Sequence, residues 1–445
     1  MGLIRLLKQD LAAETRKWAE KGLISPDQAA AICKEYGIDF HDTDQRSRGY
    51  WILVVLGYLF IGMALLTLIG ANWDNIPRGV RMGGLIVITL FTHLAGLQKY
   101  RLGKEKAAVG LFFLGSLFYG ASIMLIAQIY HIGEHFPDGI LMWALGVLPL
   151  ALLLKSRALM QLTMTLGILW FFVETHLGYF PWFFPVFLSA AAWHLIKSGA
   201  SKTLFLAVVI MTGIFLEYGI SWWLDGWQHL DFHAENLFFA GGWVLCCYGF
   251  SKYLIHRANP DAVDYGTLLA LWCLRFFIVT LFIFGFEAAW EELFAMEWQA
   301  PLPALTGGIC LAGAALILTR LGPKGPSGLL VTGMVSLLYL LSFAASQIVT
   351  DRSVAIYFAV AGNIILISAC VWLIVNGIRN SISHYFFLGV VTILLTGLVR
   401  YVDLVGDYIG AAALFLGFAV ILLATARFWR SRTKTGNRRN KREEA

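Results

Sequence analysis

Charge is what this sequence has least of. Only 14% of its 445 residues are charged, 58% are hydrophobic, and the mean hydropathy is +0.70. A soluble domain carries roughly 25% charged residues and at most about half apolar ones. A water-soluble chain with the present balance would expose apolar patches and aggregate. Hydrocarbon removes that difficulty, because a side chain facing lipid needs no polar cover. Cysteine is nearly as scarce. Cys33, Cys246, Cys247, Cys273, Cys310 and Cys370 form no C-x-x-C pair, and five of them fall inside apolar runs. They read as small buried hydrophobes, which excludes a disulfide framework or a cysteine metal site. Walker, Rossmann and Ser-His-Asp patterns are also missing, so no cofactor is expected. The charged amphipathic N-terminus lacks the continuous apolar core of a cleavable signal peptide.

The formal net charge of +6 does not point to nucleic acid, because of where the charges sit. Of 34 Lys and Arg, eight lie in the first 50 residues, balanced by eight acids, and eight lie in the last 19. The tail from Arg427 to Arg442 reads as a topogenic, headgroup-binding extension of the last span.

What is present in quantity is long apolar runs. A span needs about 20 apolar residues to cross about 30 Å of hydrocarbon. The runs fall at about 51–70, 80–97, 107–128, 139–154, 157–173, 177–196, 203–223, 236–254, 266–288, 302–319, 327–349, 354–376, 382–399 and 409–426. The expected fold is therefore all-α: a polytopic transmembrane bundle of about 14 spans over residues 50–426. A helical hairpin over 1–49 precedes it and a basic tail over 427–445 follows. Within the hairpin, Gly22 suits a stop. Ser25-Pro26-Asp27-Gln28 is a capping-box start with proline in the first turn.

The loops set the orientation. One side carries Lys99, Arg101, Lys104, Lys106, Lys155, Arg157, Lys197, Lys202, Lys252, Arg257, Arg320, Lys324 and Arg379; the other carries Arg78, Arg81, Arg352 and Arg400. Thirteen against four, in alternation, places the first group and both termini in the cytoplasm, since basic loops resist translocation.

Charges that break this rule are the candidate site residues. Asp74, Arg78 and Arg81 lie between the first two spans, with the two arginines at i, i+3. Arg400, Asp403 and Asp407 stand at i, i+3, i+7 near the end. Both sets suit either interfacial ion pairs anchoring span ends, or an outward vestibule holding an anionic headgroup or carboxylate. A third outer cluster contains His131 and Asp138. His131-Ile-Gly-Glu134-His135 matches H-x-x-E-H, but Gly133 and Pro137 bracket it in a short loop where a zinc helix is not expected. Arg275 falls about nine residues inside its run. It either snorkels to cytoplasmic headgroups or pairs within the bundle with Glu217 or Glu287. Asn363 and Asn376 are expected to bond between helices. Glu287, Glu291, Glu292 and Glu297 are expected to form a solvated face.

Several of these segments resemble a known family. Trp18-Ala-Glu-Lys-Gly-Leu-Ile-Ser-Pro-Asp-Gln-Ala-Ala, Ala71-Asn-Trp-Asp…Ile-Pro-Arg78, and Gly120-Ala-Ser-Ile-Met-Leu-Ile-Ala-Gln-Ile-Tyr-His131 with Asp138-Gly139 are similar to the bacterial multi-pass membrane proteins of domain-of-unknown-function family 2157. The resemblance is strongest over residues 15–155. It implies a bacterial inner-membrane protein with a cytoplasmic N-terminal domain, and it implies no activity; His135 is not part of the pattern.

The leading functional expectation is a transporter or flippase-like protein for an anionic or amphiphilic solute, bound at the outer face. Its site would use Asp74, Arg78, Arg81, His131, Asp138, Arg400, Asp403 and Asp407, with Arg275 as a buried charge. The alternatives are a membrane-embedded transferase acting on lipid-linked sugars, using Asp74, and a non-catalytic scaffold or sensor whose residues 1–49 dock a protein partner. The lipid bilayer is the partner common to all three. The topology makes a direct prediction. In a chain lacking other cysteines, Glu134→Cys reacts with an impermeant maleimide on intact cells, and Lys104→Cys reacts only after permeabilisation. Equal labelling of both would reject the arrangement.

Overall fold

The computed structural model describes residues 15, 18–35, 60, 76–404 apart from 132–134, 200, 228–229, 323–325, 350–351 and 380–381, and 416. The expected spans at 51–70 and 409–426, and Asp74, Asp407 and the basic tail, lie outside the described residues. The chain divides into two compact units, Met1–Ile88 and Thr89–Ala445.

In the first unit the local signals act as expected. The backbone closes a turn after Trp18, where Leu23 N–H donates to its carbonyl at 2.9 Å and Gly22 takes φ +69°. Helix α1 (Pro26–Glu35) then starts on a reciprocal cap. Ser25 N–H donates to Gln28 Oε1 at 2.9 Å, and Gln28 N–H donates to Ser25 Oγ at 3.2 Å. Each side chain satisfies an amide that the helix leaves unbonded. Thr15 Oγ1 and Cys33 Sγ meet at 3.3 Å and both residues are fully buried, so the chain preceding the turn packs back on α1. Helix α2 (Arg78–Arg101) begins in this unit and runs on into the second.

The second unit is helical throughout its described residues. After α2 come α3 (Glu105–Tyr130), α4 (Pro137–Leu153), α5 (Arg157–His176), α6 (Phe184–Lys197), α7 (Lys202–Leu224) and α8 (Ala234–Ile255). They are followed by α9 (Pro260–Ile283), α10 (Glu287–Ala295), α11 (Pro301–Arg320), α12 (Pro326–Ile348), α13 (Ala355–Arg379) and α14 (Ser383–Leu404). Among the described residues, ten helices are long and apolar enough to cross a membrane; α4 and α6 are apolar but shorter. Twelve of the expected runs thus coincide with helices. The ninth shifts at both ends: the helix is Pro260–Ile283 instead of 266–288, because Asn259 and Pro260 start it earlier. Asn259 Oδ1 accepts from Asp261 N–H at 2.9 Å and fixes that start. The loop expected at 289–301 is partly helical: α10 lies there and exposes Glu287, Glu291 and Glu292, with Glu297 exposed just beyond it.

Each long helix divides its faces sharply. On α13, Ala355, Ala359, Gly362, Leu366, Cys370, Leu373 and Gly377 form one buried stripe at three- and four-residue steps. Ile356, Val360, Ile364, Ile367, Val371 and Val375 form an exposed one at the same steps. The outward stripe is as apolar as the inward one, which is the pattern of a helix solvated by hydrocarbon and not by water. Small residues face inward because helices with no hydrophobic drive between them gain by close approach.

Helix α8 is the most closely packed. A Cβ on Gly249 would lie 2.4 Å from the Ala315 carbonyl oxygen of α11, and one on Gly266 of α9 would lie 2.6 Å from the Ser251 carbonyl oxygen of α8. Both obstacles are backbone, which cannot turn aside as a side chain can. Gly249→Val is therefore expected to lose about 1–3 kcal/mol of stability or more by overpacking. Gly313→Ala, which meets open space, is expected to be neutral or slightly stabilising. Thermal unfolding of the purified proteins in detergent separates the two; equal midpoints would show that the α8–α11 contact is not limiting.

Candidate functional site

The densest network of buried polar side chains sits where α7 ends and α8 and α11 begin. Glu217, Ser221 and Asp225 occupy one face of α7 at i, i+4, i+8, so they climb the helix toward its C-terminal end. Glu217 lies about 10 Å short of that end at 1.5 Å per residue. Beyond Leu224 the chain reverses through Gly226 (φ +62°) and Trp227 (φ +65°). The turn brings His233 back to Asp225 as the N-cap of α8.

Asn236, in the first turn of α8, ties the pieces together. Its Oδ1 accepts from Ser221 Oγ at 3.1 Å and from His233 N–H at 3.1 Å. Its Nδ2 donates to the Glu217 carbonyl at 2.9 Å and to Glu217 Oε2 at 3.0 Å. All four of its bonding positions are used, which fixes the orientation of the amide. His233 Nε2 lies 3.0 Å from Asp225 Oδ1, with side-chain exposures of 14% and 6%. Gln299 Nε2 lies 3.3 Å from His233 Nδ1. The glutamine nitrogen can only donate, so Nδ1 accepts and the ring proton resides on Nε2, facing Asp225. Two hydrogen-bonded groups thus meet at His233: its backbone N–H belongs to the Glu217–Asn236–Ser221 group, and its ring to the Asp225–Gln299 group at the surface.

Glu235, beside this network, is a fully buried acid, 4% exposed. Its Oε1 accepts from Ala300 N–H at 2.6 Å. Ala300 is the N-cap of α11, so the carboxylate lies at the starts of both α8 and α11, where helix dipoles favour negative charge. Each acid keeps one oxygen without a partner among the described residues: Glu217 Oε1 and Glu235 Oε2 are both buried. The neighbouring wall is aromatic. Phe238 stacks on Tyr339 at 4.2 Å, Tyr339 O–H donates to the Phe238 carbonyl at 3.0 Å, and Trp298 packs on Phe343.

The residues singled out in the sequence are placed differently. Arg400 reaches the end of α9. Its guanidinium donates to the Gly285 carbonyl at the end of α9 and sits 4.3 Å from the Phe286 ring centroid. Asn363 Nδ2 donates to the same carbonyl at 2.7 Å, which is the interhelical bond expected of it. A helix C-terminus leaves carbonyls unbonded, and a cation there is favourable. Asp403 is the penultimate residue of α14, and its side chain is outside the described set. Arg78 is exposed at the start of α2, with Arg81 one turn on. His131 is exposed and caps α3 at φ +53°, and Asp138 is exposed in the first turn of α4. The helix thus stops before the H-x-x-E-H segment, and His135 Nε2 bonds Glu174 Oε2 at 2.8 Å instead. Arg275 lies over the Trp272 ring at 5.2 Å. Among the described residues it forms no salt bridge with Glu217 or Glu287.

Residues 16–160 match the family described as predicted membrane protein (DUF2157). The DUF2157 match takes in α1 and runs to the first turn of α5, as the resemblance over 15–155 implied. The Glu217–Asn236–His233 network lies beyond it. No curated protein and no solved structure matches the chain.

Sequence reasoning passed over the network because Asp225, His233, Glu235 and Asn236 lie in and beside a short loop with no motif. One signal was available: Glu217 is an acid well inside an apolar run, and such residues mark functional sites by default. The architecture predicts which member matters most for stability. Asn236→Leu strands Ser221, the His233 amide and Glu217 at once and is expected to cost about 2–3 kcal/mol or more. Ser221→Ala removes one bond and is expected to cost about 1 kcal/mol. Detergent unfolding of the pair checks the ordering; the reverse ordering would show that Asn236 is not the hub.

Proposed function

We propose that this multi-pass helical membrane protein is a transporter in which Glu217 binds and releases the coupling proton. The observation that carries the reading is the Glu217 carboxyl itself. It sits inside the bundle, is held on one oxygen by Asn236, and has its other oxygen buried without a partner among the described residues. An uncompensated charge at that depth is costly, whereas a carboxyl that takes up a proton avoids the cost. Asn236 and the nearby His233–Asp225 pair supply polar groups between Glu217 and the surface. Chains of Asp, Glu and His are the usual means of moving protons through membrane proteins.

In this reading the α7–α8 turn faces outward and the basic helix ends face the cytoplasm of a bacterial inner membrane, as the distribution of Lys and Arg supports. The solute is anionic or amphiphilic. Exposed His131 and Asp138 are entry-side polar groups, and Arg78 and Arg81 would meet anionic headgroups or solute at the start of α2. The small extramembrane mass also favours transport over reactions that need a docked soluble substrate.

The reading is tested in proteoliposomes with an imposed pH gradient, using a panel of small carboxylates read by solid-supported-membrane currents and a short-chain fluorescent phosphatidylglycerol read by scrambling. Wild-type protein is expected to move at least one probe faster with the gradient than without it. Glu217→Gln is expected to lose that dependence by about tenfold or more while remaining folded, as for removal of a positioned proton-transfer group. No movement of any probe, or gradient dependence that persists in Glu217→Gln, overturns it.

A further inference from the structure

Arg275 occupies a place that its sequence position disguises. It lies about four turns into α9, counted at 3.6 residues per turn. Yet it lines a groove with His384, the second residue of α14. The buried packing agrees: Leu274 and Tyr385 both pack on the cluster of Ile278, Leu366, Cys370 and Leu373. Helix α9 therefore extends well past the start of α14, and Arg275 stands level with α14's first turn. Arg379, the last residue of α13, is at this same end of the helices. The arginine therefore lies beside the turn between α13 and α14.

The groove has a volume of about 310 Å³ and is lined by Leu271, Arg275, His384, Phe387, Leu388 and Val391. Two nitrogen-bearing side chains stand at one end of an otherwise apolar trough on the exterior of the bundle. Arg275 and Phe387 are exposed, and Val391 is 53% exposed. Trp272 lies beneath the guanidinium, in the manner of interfacial aromatics. No carboxylate among the described residues bridges to Arg275. A guanidinium presents a planar fork of donors that matches phosphate oxygens, and the apolar floor matches an acyl chain.

We propose that the α9–α14 groove binds an anionic phospholipid, with Arg275 and His384 on the headgroup phosphate and one acyl chain along Phe387, Leu388 and Val391. Arg379, at the end of α13 just before α14, adds positive charge that draws such lipids to the surface. The proposal is independent of Glu217 and of transport.

Purified full-length protein is titrated with phosphatidylglycerol, phosphatidylcholine or inorganic phosphate, reading bound lipid by native mass spectrometry and the unfolding midpoint alongside. Phosphatidylglycerol is expected to bind in preference to phosphatidylcholine and to raise the midpoint, with inorganic phosphate inert. Arg275→Ala is expected to weaken phosphatidylglycerol binding about tenfold, the scale of one charge-assisted contact, with Arg275→Lys intermediate. Val391→Trp fills the trough without touching the charge and is expected to reduce binding similarly, which keeps the test open should Arg275→Ala fold poorly. Unchanged binding in either variant overturns the proposal. So does equal binding of phosphatidylcholine, or a midpoint shift from inorganic phosphate that matches the lipid's.

Discussion

Hydrocarbon offers the backbone no hydrogen-bond partner, and the rest of this structure follows from that constraint. Inside a helix every amide and carbonyl is satisfied by the chain itself, so helices can be surrounded by lipid on their outer faces. The cost falls on the helix ends, where four amides or four carbonyls are left over. The main polar constellations of the second unit are found there. Asn236 and Glu235 serve the starts of α8 and α11, while Arg400 and Asn363 serve the end of α9. These polar residues spend most of their bonding capacity on closing backbone, and what remains unspent is informative. Arg400 reaches Gly285 and Phe286, whereas Glu217 and Glu235 each retain a buried oxygen with no partner among the described residues.

Packing then decides which helix ends meet. With apolar surface on all sides, association gains little from burial and depends on how closely backbones approach. Gly249 and Gly266 let α11 and α9 close on α8 from two directions, and the resulting proximity sets Ala300 against Glu235. The α7–α8 turn, with Gly226 and Trp227 in left-handed conformations, sets Asn236 against Glu217. Glu217 and Glu235 are thus held by contacts among three helix ends, and glycine-mediated packing between helices helps fix that polar geometry. The Arg275 groove lies between α9 and α14, among different contacts, so the two features can be perturbed separately.

Signals that act over a few residues could be read from the sequence alone. The Ser25–Gln28 cap, the stop at Gly22, the twelve apolar runs that become helices and the solvated acids of α10 all depend on neighbours within a turn or two, and local composition specifies them. The roles of Glu217, Arg275 and Arg400 could not be read this way. Hydropathy places a residue along its own helix, but it carries no information about where a neighbouring helix begins. Arg275 is four turns into α9, and only the offset between the two helices brings it beside the first turn of α14. Glu217 finds its partner on α8 and not at Arg275 because the turn between α7 and α8 is short. By itself the sequence determined that the chain is helical and solvated by lipid, since the free energy of hydrating so many apolar side chains leaves no other outcome. Which charges are satisfied and which are left poised was decided by the tertiary structure, because that depends on the vertical register of helices that are distant in sequence.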